Sequence, residues 1–259
     1  MAADLPAKAP PPVVANDWSG FYLGAHGGYG WGHDPFDQTF VGIAPFTLFI
    51  PGATVSGVDS KGYVAGGHAG YNWQYRDWIV AGLEIDLSAT GIKGSITSTA
   101  TASSTFISGT NTQILTDKLD WLGSARARLG ILAGPNLLLY GTGGLAWTRL
   151  IQSFRQTITT DFGGTVTTST AFSSTPSWRF GWVAGVGAEA RVLDSNWLVR
   201  VEYLHYDFGD SGSQSPAAGG APGFPGSTAT SFESGNMTAD VVRAGLSYKF
   251  GGGPLYARY

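Results

Sequence analysis

The sequence contains no cysteine, few charged residues and no long apolar run. With no cysteine among 259 residues, the chain can form neither a disulfide framework nor a thiolate-based metal or catalytic site. Charged residues make up 13%, about half of the roughly 25% that is usual in soluble domains. No apolar run approaches the roughly 20 residues of a transmembrane helix, which excludes that way of crossing a bilayer. The formal net charge of −3 does not indicate the positively charged surface that binds nucleic acid.

Glycine and aromatic residues are abundant instead. The chain has 39 glycines, about twice the usual share of roughly 7%. It also has 9 Trp, 11 Tyr and 14 Phe. This composition fits strands that cross a bilayer, and such strands must close into a barrel because an open sheet edge in lipid would leave backbone groups unpaired.

The last strand of the sequence, residues 237–250, shows the pattern most simply. Val242, Ala244, Leu246, Tyr248 and Phe250 form one face, and the residues between them form a more polar face that includes an arginine and a lysine. Side chains alternate between the two faces of a strand. This single strand fits a soluble sandwich, with its apolar face in a core, as well as a membrane barrel, with its apolar face in lipid.

The connections between strands decide between these alternatives. Alternation predicts eight strands, over residues 18–31, 62–75, 78–89, 119–131, 137–148, 177–191, 197–207 and 237–250. The connections alternate long and short, as the outer loops and periplasmic turns of outer-membrane barrels do. We therefore predict one eight-stranded antiparallel up-and-down transmembrane β-barrel, with both termini in the periplasm. The Thr-rich stretches 92–116 and 151–176 are expected as solvated loops, with extended hairpins as the alternative.

Charged residues on the polar faces predict the state of the lumen. Acidic and basic residues balance in number, and the interior of an eight-stranded barrel is just wide enough for side chains to fill. Because buried charges need partners, we expect a salt-bridged lumen with little or no conductance. The predicted network comprises Glu84, Asp86, Asp120, Glu189 and Glu202 with Arg126, Arg128, Arg179, Arg200 and Arg243.

Aromatic residues near the strand ends predict girdles at the two membrane interfaces. The predicted girdle residues are Trp18, Tyr29, Trp31, Tyr71, Trp73, Trp78, Trp121, Trp147, Trp178, Trp182, Trp197, Tyr203, Tyr248 and Phe250.

Three segments follow from this organisation. Residues 17–250 form the predicted barrel, and residues 251–259 a C-terminal tail. Residues 1–16 are rich in proline and alanine and are predicted to be a processed periplasmic tether. The opening Met-Ala-Ala resembles the end of a signal-peptide cleavage site, so we expect Ala3 or Asp4 to begin the mature chain.

The first predicted outer loop is unusually apolar. Residues 40–51 read FVGIAPFTLFIP, and an exposed apolar patch of this kind often marks a binding surface. Local packing of the segment on neighbouring loops is the alternative. A protein partner at this loop would contact Phe40, Ile43, Phe46, Leu48, Phe49 and Ile50.

The four histidines give no strong sign of catalysis or of a cofactor. His26 and His68 fall on the inward faces of neighbouring strands, but two histidines without a third spaced ligand fall short of a metal site. We therefore expect lumen histidines that hydrogen-bond to their neighbours, and no cofactor. No Ser/His/Asp spacing stands out, so the chain is not predicted to be an enzyme.

Four stretches resemble strands of a known family. They are DWSGFYLGAHGGYGWG (17–32), LLYGTGGLAW (138–147), GWVAGVGAEARV (181–192) and VRAGLSYKF (242–250). Together they resemble the alphaproteobacterial small outer-membrane immunogenic β-barrels, which are porin-like surface antigens. The resemblance implies an outer-membrane location among lipid and lipopolysaccharide, and insertion by the barrel-assembly machinery through a terminal aromatic residue, here Phe250 or Tyr259.

The resemblance also implies a function. We expect a structural barrel that supports envelope integrity and presents surface loops. A narrow porin for small solutes is the alternative, and a lipid A-modifying enzyme a more distant one. In some members of the family a mature N-terminus that begins Ala-Asp is joined covalently to peptidoglycan, and Ala3-Asp4 is similar to that pattern.

Overall fold

The computed structural model describes residues 17–43, 49–50, 54–76, 78–103, 105–193, 195–210, 229–233 and 236–250, and these are almost entirely β-strand. The strands are β1 (Gly20–Ile43), β2 (Phe49–Ile50), β3 (Thr54–Tyr75), β4 (Ile79–Thr90), β5 (Lys93–Ser103), β6 (Ile107–Leu132), β7 (Leu137–Phe162), β8 (Thr165–Arg191), β9 (Trp197–Asp210), β10 (Ala229–Glu233) and β11 (Asn236–Phe250). Among the described residues, no helix is long and apolar enough to cross a membrane.

Eight of these strands close into a ring. Their order is β1, β3, β4, β6, β7, β8, β9 and β11; each is antiparallel to the next, and β11 pairs back with β1. Phe21 of β1 stands opposite Tyr71 on one side and Phe250 on the other. The ring confirms the predicted eight-stranded antiparallel up-and-down barrel.

The two ends of the ring differ. At one end, connections of three to five residues join β3 to β4, β6 to β7 and β8 to β9. We call this the short-turn end. Because Phe21 stands opposite Phe250, the beginning of β1 and the end of β11 lie at this same end. The opposite end carries the longer excursions, and we call it the long-loop end.

At the long-loop end, β6, β7 and β8 continue past the ring and form a four-stranded sheet with β5. It consists of residues 93–103, 107–118, 151–162 and 165–176, and we call it the blade. Threonine suits a pleated sheet because it is β-branched, and facing pairs such as Thr157–Thr170 approach to 3.4 Å between hydroxyl oxygens. Of the two alternatives for the Thr-rich stretches, extended hairpins are therefore the one observed.

Burial follows the alternation of each ring strand. On β4, Leu83 and Ile85 are 56% and 55% exposed, whereas Glu84 and Asp86 are 3% and 2% exposed. The apolar face therefore points outward and the polar face points into the lumen. This is the arrangement of a barrel whose outer surface meets lipid.

Two apolar layers close the lumen above and below its polar centre. The lower layer, toward the short-turn end, contains Trp18, Val80, Leu138, Tyr140 and Leu198. The upper layer, toward the long-loop end, contains Val64, Ile92, Leu119, Leu122, Ala146, Leu150, Val183, Leu204, Tyr206, Phe208, Met237, Ala239 and Val241. Sequence reasoning assigned only polar residues to the lumen and did not predict these layers.

Most of the predicted girdle residues lie on the outer surface in two bands. Trp147 and Tyr248 are half-buried on that surface, and the remaining outward members are 40–58% exposed. The band at the short-turn end contains Tyr71, Trp73, Trp78, Trp197, Tyr248 and Phe250. The band at the long-loop end contains Tyr29, Trp31, Trp121, Trp147, Trp178, Trp182 and Tyr203.

Trp18 does not belong to the girdle. It precedes β1 and is fully buried in the lower apolar layer. It lies four residues before Tyr22, which faces the lumen, so its side chain continues the inward-facing side of β1 and lies under the ring. Its assignment to the girdle was wrong.

The apolar first loop is only partly described. Phe40 and Ile43 belong to β1, and Phe49 and Ile50 form β2, which pairs with the end of β1. Phe46 and Leu48 lie outside the described residues, as do Ala3, Asp4, Tyr259 and the predicted segments 1–16 and 251–259. The loop contact and the N-terminal attachment therefore stay predictions.

Candidate functional site in the barrel lumen

Four carboxylates and four guanidinium groups meet between the two apolar layers, and we call them the lumen network. Its members are Glu84 and Asp86 on β4, Arg126 and Arg128 on β6, Glu189 on β8, Arg200 and Glu202 on β9, and Arg243 on β11. None is more than 4% exposed. The described network is therefore balanced in charge, four against four.

Strand register brings opposite charges face to face around the wall. Glu84 stands opposite Arg126, Glu189 opposite Arg200, and Glu202 opposite Arg243. Directly opposed residues of antiparallel strands have neighbouring side chains. Three oppositions of acid and base thus follow from the pairing of the strands alone, and two of them are ion pairs, Glu84 with Arg126 and Glu202 with Arg243.

Further ion pairs cross the lumen between strands that are not neighbours. Arg200 donates from Nη1 to Oε2 of Glu84 at 2.5 Å, and Arg243 donates from Nη1 to Oδ1 of Asp86 at 3.0 Å. Arg128 donates from Nη2 to Oε2 of Glu189 at 3.1 Å. Glu84 lies within 4 Å of all four arginines and is the centre of the network.

Two buried tyrosines donate hydrogen bonds to two of the four carboxylates. Tyr22 donates to Oε2 of Glu84 at 2.7 Å, and Tyr140 donates to Oε1 of Glu202 at 2.8 Å. Their rings need glycine on an adjacent strand, because a Cβ at Gly70 would lie 2.3 Å from the Tyr22 hydroxyl and one at Gly187 would lie 2.5 Å from the Tyr140 ring. The glycine content of the chain thus makes room for lumen side chains.

A histidine pair borders the network. Nδ1 of His26 lies 3.1 Å from Nδ1 of His68, and their rings are stacked. Each histidine contacts a serine hydroxyl through its other nitrogen at 2.7 Å, Ser88 for His26 and Ser247 for His68. The pair lies in the lumen within hydrogen-bonding reach of its neighbours.

The chain entering β1 seals the short-turn end. Trp18 donates its ring N–H to the Pro135 carbonyl at 3.4 Å and its backbone N–H to the Gln74 side chain at 2.8 Å. Lys249 donates to the carbonyl oxygens of Asp17 and Ser19. Residues 17–19 are therefore fastened across this end of the ring by bonds to several strands.

Two of the ten predicted network residues lie apart from it. Asp120 sits at a β-bulge in β6, between the paired residues Leu119 and Trp121. The bulge shifts the alternation, so Leu119 points inward and Asp120 instead pairs with Lys118 and Arg149 near the outer surface. Arg179 is half-buried on the inward-facing side of β8, beyond the upper apolar layer's Val183 and away from Glu189.

Sequence reasoning missed the tyrosines and the seal. Tyr22 and Tyr140 fall on the inward faces predicted by alternation, and that signal would have included them had hydroxyl groups been considered beside charges. Lys249 also falls on the predicted inward face. Trp18 has the parity of Tyr22 in the predicted strand 18–31, so alternation placed it on the inward face, against its assignment to the girdle.

The arrangement is suited to filling the barrel. Breaking a buried ion pair leaves an uncompensated charge and typically costs about 3–5 kcal/mol, whereas fully paired charges are tolerated. Among the described residues, the network is paired within itself and enclosed by apolar layers on both sides. The charged groups thus lie between two apolar layers, which is the arrangement of a filled lumen.

Comparison with known proteins agrees with the ring of strands. A family model described as an outer membrane protein beta-barrel domain matches residues 1–250. The 31 kDa outer-membrane immunogenic protein of Brucella melitensis is 32% identical over 261 aligned residues, which span 96% of this chain and 93% of that protein, and its Brucella suis counterpart matches equally. The solved structure of OprG from Pseudomonas aeruginosa aligns over 90% of this chain and 97% of its own at 11% identity, with a TM-score of 0.38 that is too low to carry an argument.

Proposed function

Because the chain belongs to the family of outer membrane protein β-barrel domains, we propose that it is a closed, structural barrel of the Gram-negative outer membrane. In this proposal the barrel supports the envelope, and its long-loop end presents the blade at the cell surface. The chain is an outer-membrane protein by family; its structural role and its orientation are the proposed parts.

The layered lumen is the observation that carries this proposal. A passive pore for polar solutes needs a polar wall along its whole length, whereas the lumen network lies between two layers of buried apolar side chains. Trp18 adds a fully buried ring at the short-turn end. The described residues therefore favour a plug that stabilises the barrel over a channel.

The N-terminal attachment belongs to the same proposal. Residues 17–19 are fastened at the short-turn end, so the preceding chain enters the barrel there. If this end faces the periplasm, a tether of residues 1–16 begins on the side where peptidoglycan lies, which suits the predicted linkage through Ala3 and Asp4. The proposal includes two further partners. They are the barrel-assembly machinery, which would insert the chain, and a protein that would bind the apolar first loop.

The enzyme alternative finds less support. Near the long-loop end, His33 pairs with Asp59 and His205 pairs with Asp240. The histidines that contact serine hydroxyls within the described chain, His26 and His68, are both buried in the lumen. An outer-surface nucleophile activated by histidine, as acyl transfer would need, is not formed by these pairs, and catalysis is not part of the proposal.

Single-channel recording tests the proposal against the porin alternative. The purified, refolded protein is inserted in a planar bilayer, and we expect no reproducible openings. Steady openings would overturn the proposal if their conductance changed with Glu202→Gln but not with Asp120→Asn, because only the first residue lies in the lumen. Insertion is verified separately by a folded, heat-sensitive band on a gel.

A further inference from the structure

Three of the chain's five lysines lie side by side on the outside of the barrel. Lys61 of β3 stands opposite Lys93 of β5, and Lys93 stands opposite Lys118 of β6. Lys61 and Lys93 are exposed, and the Lys118 side chain is 43% exposed. On β7, Arg149 lies at about the same height on the barrel, and its side chain is 39% exposed. We call these four residues the cation row.

The cation row lies at the boundary of the lipid-facing surface. Lys61 stands opposite Trp31, and Arg149 stands between Trp121 and Trp178. These tryptophans belong to the aromatic band at the long-loop end, and such bands mark the level of lipid headgroups. With strands about 4.8 Å apart, the row spans about 15 Å of this boundary.

Like charges in direct opposition are unfavourable in a sheet, so the row needs an anion. The described part of the chain supplies one carboxylate: Asp120 pairs with Lys118 at 2.8 Å and with Arg149 at 3.5 Å. Asp59, farther along β3, pairs with His33 instead. Lys61 and Lys93 have no acidic partner among the described residues. The lumen, by contrast, matches its four arginines with four carboxylates.

We propose that the cation row binds the phosphate-bearing headgroup of a membrane lipid. Ammonium groups bind phosphate as point charges, and several of them spread along the headgroup level suit a headgroup with more than one phosphate. The neighbouring tryptophans contact the same lipid at the edge of the acyl region. In the proposed orientation this lipid is lipopolysaccharide of the outer leaflet.

The assignment to the outer leaflet rests on the proposed function, whereas the binding itself is independent of whether the lumen conducts. The test is native mass spectrometry of the full chain in micelles that contain diphosphorylated lipid A, the same lipid without phosphate, or phosphatidylcholine. We expect the wild type to retain the diphosphorylated lipid. The Lys61→Gln/Lys93→Gln variant should retain it less, by about fivefold for each lysine removed.

Arg155→Gln is the matched control. Arg155 is an exposed cation on the same face of β7, but it lies six residues beyond Arg149, about 20 Å farther along the strand. Its loss should leave retention unchanged. Lys93→Gln alone replaces the double variant if the latter shows no folded band on a gel.

Three results would overturn the proposal. They are equal retention by the lysine variant, equal retention of the lipid without phosphate, and an equal loss with Arg155→Gln. In the last arm of the experiment, inorganic phosphate is added without lipid. If it raises the unfolding temperature of the wild type but not of the lysine variant, while no lipid is retained, the ligand is a soluble phosphate and the lipid assignment is wrong.

Discussion

Glu84 is the residue on which the interior depends most. Its carboxylate lies within 4 Å of all four network arginines and accepts a hydrogen bond from Tyr22. The balance of four acids and four bases means that removing this one charge leaves three carboxylates for four guanidinium groups. Such an imbalance in a buried site is costly because the unpaired cation cannot recover its hydration.

We therefore expect Glu84→Gln to destabilise the barrel by about 3–5 kcal/mol. The measurement is urea unfolding in lipid vesicles, followed by tryptophan fluorescence. Asp120→Asn is the control: its ion pairs are partly exposed near the outer surface, so its loss should cost at most about 1 kcal/mol.

A double variant tests whether charge balance is the cause. Glu84→Gln/Arg126→Gln removes one charge of each sign, so it should lose less stability than the sum of the two single variants, as expected for coupled neighbours. Strict additivity would mean that the two side chains act through packing and not through charge.

At the scale of strands, the ring and the blade differ in what stabilises them. Ring strands have an apolar outer face and a buried inner face. The blade instead carries exposed Thr and Ser on β8 that face half-buried Thr and Ser on β7, with hydroxyls such as those of Thr159 and Thr168 3.4 Å apart. The blade turns at Gly163 and Gly164, whose φ angles of 56° and 93° favour glycine. We therefore regard the blade as an addition to a ring that is stable without it.

Shortening the blade tests this independence. Deleting residues 154–161 and 166–173 removes eight residues from each arm and keeps the Gly163–Gly164 turn. An even number preserves which side chains face outward. We expect the variant to fold with an unchanged urea midpoint and a normal heat-sensitive band on a gel.

The control variant deletes the same number of residues from the parts of β7 and β8 that belong to the ring. Deleting residues 139–146 and 181–188, which pair with each other in β7 and β8, would leave those strands too short for the lipid and should abolish the folded band. If shortening the blade were equally damaging, the blade would be part of the folding unit.

Alternation made the ring strands and most of the network predictable, because a period of two assigns each side chain to lipid or lumen without knowledge of the partner strand. Glu84, Arg126 and Arg243 were all assigned in this way. Asp120 was not predictable, since its bulge exists only in the pairing of β6 with β7. The apolar layers were missed because residues such as Val241 lie on a face that looks polar in its own strand.

At the scale of the whole molecule, the two ends of the barrel differ, and this difference gives the barrel a direction in the membrane. Three short connections, the seal around Trp18 and both ends of the ring's chain lie at the short-turn end. The blade and the cation row lie toward the other end. An even number of strands predicted that both ends of the chain would lie together, and the short connections at that end predicted that it faces the periplasm, as the short turns of outer-membrane barrels do.

Because the chain has no cysteine, a thiol reagent can react only with a cysteine that is introduced. The labelling of a single introduced cysteine therefore shows on which side of the membrane that residue lies. On intact cells, a membrane-impermeant maleimide should label Thr168→Cys in the blade. Ala133→Cys, in the exposed turn between β6 and β7, should be labelled only after the outer membrane is permeabilised. The reverse pattern would invert the proposed orientation while leaving the closed lumen untouched.

The lumen network also has a consequence for the time course of biosynthesis. Its bonds have high contact order: Arg200 reaches Glu84 across 116 residues of chain, and Arg243 reaches Asp86 across 157. Contacts of such long range form only after the intervening chain has been ordered. A nascent chain that ended before β11 would hold the four carboxylates against three guanidinium groups, so the interior becomes electrically complete only when the final strand has been made and has docked.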